Sequence, residues 1–254
     1  MPASTVMIED WIVPDWPAAP QVRAVSTMRH GGFSRGPYAS MNPAAHVGDD
    51  PATVLANRKM LQQVLQLPAE PRWLQQVHGT TVLDAGEPVA AGEGPVADAA
   101  YCSQTGVVCV VLTADCLPIL LCDVAGRHVA ALHAGWRGLA AGVIEQTIET
   151  MKQPGETLLA WLGPAIGPDA YQVGDKVRDA FLAHNKRAAA AFQPGPDGSW
   201  MADLYRLARQ RLAERGVTAI YGGHECSFTD AERFFSYRRD GVTGRMSTLI
   251  WLNP

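Results

Sequence analysis

Residues 106–114 (GVVCVVLTA) are apolar at almost every consecutive position and rich in valine. Valine loses side-chain freedom in a helix but packs well on a pleated surface, so the stretch reads as a strand. Neighbouring side chains of a strand point to opposite faces, and a strand that is apolar throughout has to be covered on both sides. This predicts a central strand with one layer above it and one below. The apolar run extends over 107–122, yet Thr113, Asp115 and Pro118 interrupt it, which leaves it too short and too polar to cross a bilayer. Cys116 lies just past the end of the strand.

Residues 118–122 and 127–132 read as two further strands joined by Asp123-Val124-Ala125-Gly126, a short turn that predicts a hairpin and antiparallel pairing. Beyond it Leu139, Val143, Ile144, Ile148 and Met151 recur at helical spacing, so His133-Ala134-Gly135-Trp136-Arg137-Gly138 joins a strand to a helix. A second round follows, with a strand over 158–162 and amphipathic helices over 173–184 and 204–215, the latter capped by Asp203. Residues 22–27 read as a strand, 192–199 as a proline- and glycine-rich surface loop, and 247–252 as the strand that closes the sheet. No low-complexity linker or composition shift divides the chain, so the expected architecture is α/β in a single domain over 1–254.

A chain of 254 residues buries a sufficient core without disulfides or a structural metal. The formal net charge of -4 argues against recognition of nucleic acid or an anionic membrane through a general basic face, so an anionic ligand needs a local site. Cys102, Cys109, Cys116, Cys122 and Cys226 are odd in number, and four of them sit in or beside apolar runs, which fits a reducing cytoplasm. The first 16 residues carry acidic side chains and two prolines where an export signal would be basic and then apolar. The expected location is cytoplasmic.

Three segments place a metal-ligating side chain beside glycine or at a strand end: Gln76-Val77-His78-Gly79, Thr113-Ala114-Asp115-Cys116-Leu117-Pro118 and Leu132-His133-Ala134-Gly135. Two imidazoles and a thiolate are a ligand set of catalytic zinc, with the fourth position left to water or substrate. No short ligand spacing backs this, and two other readings stand beside it: a small buried hydrophobe at Cys116, or a Cys116 nucleophile with His133 as its base. The glycines around Trp136 and Arg137 suit an anion pocket of exposed backbone N–H groups at a helix start, or merely a tight turn with Arg137 in solvent. Residues 29–36 (RHGGFSRG) and 235–241 (FSYRRDG) combine arginines with aromatic rings, as candidates to hold a nucleoside or phosphate or as plain surface charge.

These segments, together with Met41-Asn42, His46-Val47-Gly48-Asp49-Asp50-Pro51, Asn57-Arg58, Ala97-Asp98-Ala99 and Leu162-Gly163-Pro164-Ala165-Ile166, resemble the YfiH-type laccase-domain family. That family carries the name multicopper polyphenol oxidase and is described as purine nucleoside phosphorylases. The resemblance spans nearly the full chain. It implies a four-layer α-β-β-α sandwich with mixed sheets, and zinc held by His78, Cys116 and His133. It also implies phosphorolysis of adenosine, inosine and methylthioadenosine, with adenosine deamination as a second activity. Asp115 is the candidate acid or base, or a residue that orients a ligand from behind. Arg29, Asn42, Arg137 and Arg238 are candidate substrate and phosphate contacts. The implied partners are purine nucleosides and phosphate, with no nucleic acid and no membrane, in a monomer or small homo-oligomer. Two rival readings remain: a copper-binding polyphenol oxidase or electron-transfer protein, with Met28, Met41 or Met246 as a weak fourth ligand, and a hydrolase that edits peptidoglycan precursors.

Overall fold

The computed structural model describes residues 11–88 and 94–253. Residues 1–10, part of the stretch read above for an export signal, lie outside the described residues. The strands are β1 (Val22–Ser26), β2 (Val82–Asp84), β3 (Ala99–Cys102), β4 (Val108–Thr113), β5 (Leu117–Asp123), β6 (Val129–Ala134), β7 (Leu158–Leu162), β8 (Gln172–Val173), β9 (Phe192–Pro194), β10 (Trp200–Ala202), β11 (Ala219–Gly222) and β12 (Met246–Leu252). The helices are α1 (Pro51–Leu65), α2 (Trp136–Ala141), α3 (Val143–Met151), α4 (Asp175–His184), α5 (Leu204–Glu214) and α6 (Tyr237–Asp240).

Alternation along the strands sorts these elements into layers. In β5, Leu117, Ile119 and Leu121 face one way and join Ala130, Leu132 and Ala134 of β6 beneath Val143, Ile144 and Ile148 of α3 and Leu204, Leu207 and Leu212 of α5. Leu120 and Cys122 face the other way, with Val129 and Ala131, onto Cys109 and Val111 of β4 and Ile250 and Leu252 of β12. The far side of that second sheet presents Val108, Val110, Leu249 and Trp251 to Leu61 and Leu65 of α1. Three cores therefore separate four layers, helix, sheet, sheet, helix, as expected for the family it resembles. Each wholly buried Leu or Ile in them contributes roughly 1.5–3 kcal/mol.

The larger sheet runs β11-β7-β5-β6-β3-β2 and is mixed, with β11 parallel to β7 and β2 parallel to β3 while the remaining pairs are antiparallel. The predicted hairpin is present, pairing Leu117 with Ala134 and Pro118 with His133. The smaller sheet runs β1-β12-β4 and is antiparallel, and β8-β10-β9 form a third, short sheet.

Several expectations shift. The valine-rich stretch is covered on both faces, yet β4 lies at the edge of its sheet, because apolarity on both sides reports coverage and not rank order. Residues 247–252 do not close the large sheet; β12 is the middle strand of the small one. The helix read over 139–151 is two helices broken at Gly142, whose φ of +103° ends one and begins the other. Val173 belongs to β8 and its helix starts at Asp175, while 192–199 includes β9. Helix α1 was not expected, because its buried positions are sparse, although Asp50 and Pro51 announce its start. The Asp50 carboxylate accepts from the Thr53 N–H at 2.8 Å. No helix among the described residues is long and apolar enough to cross a membrane.

One buried amide ties α1 to the loop that precedes it. Asn57 donates to Ser34 Oγ at 2.9 Å and to Asn42 O at 2.8 Å, and its Oδ1 accepts from the Phe33 N–H at 2.8 Å. Asn57→Ala orphans several buried groups and should lower unfolding free energy by about 2–4 kcal/mol in chemical denaturation. A loss within experimental error would show that water replaces the amide.

Candidate metal centre

Two devices bring the ligand segments together. The β5–β6 register seats His133 opposite Pro118, next to the corner that carries Cys116. The Gln76 side chain then imitates a strand rung: its Nε2 donates to Leu112 O at 2.8 Å and its Oε1 accepts from the Leu112 N–H at 2.7 Å. That pairing fastens the 76–79 loop to β4, and His78 follows. Its Nε2 lies 3.7 Å from Cys116 Sγ, and the His78 and His133 rings meet edge to face with centroids 4.7 Å apart. The donor atoms of His78, Cys116 and His133 all fall within 4.8 Å of one another. Ligands at zinc bond lengths in tetrahedral array stand about 3.3–3.8 Å apart, so the triad fits such an ion after small adjustment. His133 is buried, Cys116 partly so and His78 exposed, so the open side faces outward.

A wholly buried carboxylate holds two of the three candidate ligands. Asp98 Oδ1 accepts from His133 Nδ1 at 2.8 Å and from the His78 N–H at 2.8 Å, while Oδ2 accepts from the N–H groups of Gly79 at 2.6 Å and Val77 at 3.2 Å. Burial alone would raise its pKa, but the bonds from His133, Gly79 and Val77 reverse this and keep it below the usual carboxylate range. The bond to Nδ1 leaves His133 Nε2 as the nitrogen turned to the triad. The same carboxylate supports the 77–79 turn, in which His78 adopts φ +62°.

The glycines of 133–138 serve close packing. Gly135 has φ −63°, which any residue adopts, but a Cβ there would stand 2.7 Å from His78 Cδ2 and 3.0 Å from Cys116 Sγ. At Gly138 it would stand 2.7 Å from Gly79 O. Both glycines are thus required by packing, and Arg137 is exposed with its guanidinium 4.6 Å from the Trp136 ring centroid.

The electrostatics follow from the geometry. Burial pushes the Cys116 thiol up, but the charge and hydrogen bonds of His133 and then His78 outweigh it and hold the thiol at about 6. Burial pushes His133 down, yet the Cys116 thiolate and the Asp98 carboxylate raise it to about 9. Without an ion the pair is thus a thiolate beside an imidazolium.

Residues 23–253 match the family model described as multi-copper polyphenol oxidoreductase laccase. The chain belongs to that family. Among relatives, the purine nucleoside phosphorylase PA4543 of Pseudomonas aeruginosa is 53% identical over 95% of this chain and 98% of its own. The purine nucleoside phosphorylase YfiH of Escherichia coli is 54% identical over 95% and 98%. The crystal structure of the Neisseria meningitidis protein NMB0706 is similar with a TM-score of 0.92 at 49% identity, covering 96% of this chain and 100% of that one.

In this member of the laccase family the remaining predicted residues separate into groups. Asp115, at φ +89°, accepts from Ser227 Oγ and from the Arg238 N–H, each at 2.7 Å, so its carboxylate ties the Ser227 loop and α6 to the Cys116 corner. The carboxylate behind the ligand histidine is Asp98, which the sequence reading quoted without giving it a role. Arg238 donates to Gln172 O at 2.9 Å with its guanidinium 5.3 Å from the Tyr171 ring centroid. Tyr171 is buried, and burial followed by the Cys116 charge pushes its hydroxyl pKa up against the pull of Arg238 and Arg137; Arg238, bonded through its N–H to Asp115, sets this ring on the Cys116 side of the centre. Arg29 is elsewhere, donating to Ala39 O and Ala231 O beside a separate cavity. Asn42 is buried and spends its amide on Asp49 Oδ2 and on the N–H groups of Ala44 and Arg245. Of the methionines nominated for copper, Met41 is core, and Met246 Sδ accepts from the Phe235 N–H.

Two predictions follow from this geometry. An ion needs the His133 Nε2 lone pair, so loading at about pH 7.5 should expel close to one proton per ion, and affinity should climb up to about pH 9. Below about pH 6 the thiol also protonates and the fall steepens. Calorimetry in buffers of different ionisation enthalpy reads the proton count, and a count of zero contradicts the imidazolium. Asp98→Asn should weaken zinc affinity by ~10–100-fold in competition with a chelator, because the second ring nitrogen loses its acceptor.

Proposed function

We propose that this chain is a zinc-dependent purine nucleoside phosphorylase acting on adenosine, inosine and methylthioadenosine, with adenosine deamination as a second activity of the same centre. The observation that carries the reading is the convergence of a thiolate and two imidazoles within 4.8 Å of one another, open on one side and flanked by Tyr171 and Arg238. Relatives named purine nucleoside phosphorylases, matched over 95% of the chain, supply the substrate class. Five free cysteines, among them the buried Cys102, Cys109 and Cys122, support a cytoplasmic location.

The ion would be held by His78, Cys116 and His133, and when bound it supplies Lewis acidity to a substrate atom or to water. The chain's own residues do the rest. Asp98 keeps His133 in one tautomer and one orientation. In phosphorolysis a phosphate oxygen forms a bond to C1′ as the bond from C1′ to the purine nitrogen breaks, and the electron pair leaves with the base, which takes up a proton. Tyr171, held protonated by burial, is positioned to donate a hydrogen bond on that flank. Asp115, with both oxygens engaged, positions the Arg238 segment more readily than it moves a proton.

A second reading has its own observation: the Cys116 thiolate beside the His133 imidazolium is the pair a cysteine hydrolase uses. The position of His78 favours the metal, since a nucleophile and its base need no third ligand at 3.7 Å. The test is metal analysis of the purified chain together with phosphate-dependent release of hypoxanthine and adenine. His78→Ala should lose the ion and lower kcat/KM by at least ~100-fold. Full turnover by that variant removes the proposal, and turnover abolished by thiol alkylation with the ion still bound favours the hydrolase.

A further inference from the structure

Phosphorolysis needs an anchor for a small dianion, and the glycines of 133–138 are already accounted for by packing. A cavity of about 550 Å³ beside the centre is lined by His46, Tyr237, Asp240, Thr243 and Arg245, among others. Arg29, Asn42, Arg137 and Arg238 lie outside its wall, while Tyr237, Asp240 and Gly241 of the 235–241 segment belong to it. Arg245 belongs to it too, and its placement is rigid: it immediately precedes the middle strand of the small sheet, and its backbone N–H donates to the buried Asn42 Oδ1 at 3.0 Å. One end of the guanidinium is turned back on its own turn, Nη1 donating to Thr243 O at 3.0 Å and Gly244 O at 2.9 Å.

The other end makes no hydrogen bond among the described residues, and the guanidinium lies 5.8 Å from the Tyr237 ring centroid. Among the described residues no group accepts from Nε or Nη2 of Arg245, and no carboxylate lies within ion-pair distance of it. Asp240, in the same cavity wall, gives its oxygens to Arg239 Nε and Nη2 at 2.9 and 2.8 Å. A half-buried guanidinium is ordinarily matched by an anion, because desolvating a charge without a partner is costly. Other cationic side chains stand near it. His46, on the cavity rim, has its protonation suppressed by desolvation and then by the charges of Arg245, Arg58 and His133. Arg58 spends its Nε on Pro43 O at 2.8 Å and stacks 4.1 Å from the Trp73 ring centroid. Tyr237 of the same wall is followed by Arg238, whose backbone N–H donates to Asp115 Oδ2 at 2.7 Å, so this wall is fastened to the corner that carries Cys116.

We propose that the free edge of Arg245, with His46 beside it, is the subsite that binds the phosphate cosubstrate in the cavity next to the metal centre. This deepens the phosphorylase reading and rests on it for the identity of the anion. Two parallel N–H groups of one guanidinium match two oxygens of a phosphate, and a neutral imidazole adds a donor without needing a counter-charge. Arg245 acts here as a binding and specificity residue, and the nucleoside takes the Tyr171 flank.

The test measures binding and turnover separately on the full chain. Inorganic phosphate is titrated by phosphorus NMR against wild type, Arg245→Met, Arg245→Lys and, as a charge-matched control, the exposed Arg127→Ala, each with and without zinc. Arg245→Met should lose phosphate affinity by ~10-fold or more, Arg245→Lys should recover part of it, and Arg127→Ala should match wild type. In turnover the phosphate KM should rise by a similar factor in Arg245→Met while the inosine KM stays within about 2-fold. Unchanged phosphate affinity in an Arg245→Met protein with wild-type melting behaviour and zinc content overturns the subsite. So does selective loss of adenosine 5′-monophosphate binding with phosphate binding intact, which would assign the guanidinium to a nucleotide. If wild type binds phosphate through Arg245 but releases no base, the phosphorylase reading fails and the oxyanion subsite stands. Phosphorolysis with an unchanged phosphate KM in the variants gives the reverse.

Discussion

The Asp98 carboxylate is the constraint on which the rest of the site depends. It is buried, negatively charged and satisfied by one imidazole and three backbone N–H groups. An isolated charge in that position would be strongly unfavourable, so the loop over 77–79 and the end of β6 have to stay where they are for Asp98 to remain ionised. One anion thus sets the tautomer of His133, the turn that presents His78, and the spacing between them. The thiolate at Cys116 lies on the other side of His133, so the imidazole stands between two negative groups, which is why it holds a proton so firmly until a cation replaces it.

The sandwich gives that constraint its location. Cys116 stands at the corner where the chain leaves β4 of the small sheet and enters β5 of the large one, and His133 ends the strand paired with β5. The centre therefore sits at the rim of the interface between the two sheets, where strand ends are rigid but side chains reach solvent. Gln76 fastens the third ligand segment to this rim with a side-chain amide where a main-chain rung would otherwise be, and Gly135 and Gly138 remove the Cβ atoms that would hold α2 away from it.

Much of this was legible beforehand because burial leaves a pattern in the chain. The valine-rich 106–114 stretch, the 118–132 hairpin and the 158–162 strand were read as they stand, since apolar alternation and turn chemistry are local signals. The candidate ligands His78, Cys116 and His133 are legible from their types and from a family resemblance, and the structure brings their donor atoms together. What failed was non-local. Strand order is set by pairing partners far along the chain, so the edge position of β4 and the central position of β12 had no local signature. The Gly142 break has one, an isolated glycine inside a helical repeat. Asp98 was visible as a carboxylate inside an apolar stretch, and Arg245 as an arginine before an apolar strand, but neither announces its partners. Asp115 drew attention because it adjoins Cys116, and adjacency in sequence proved a weaker guide than adjacency across the sheets.

The placement of the three donors has a consequence for how long the protein lasts. They come from chain segments that are distant in sequence and belong to different layers, so a cation bound among them closes the seam between the sheets as a rivet would. Whatever free energy that binding supplies is also resistance to unfolding.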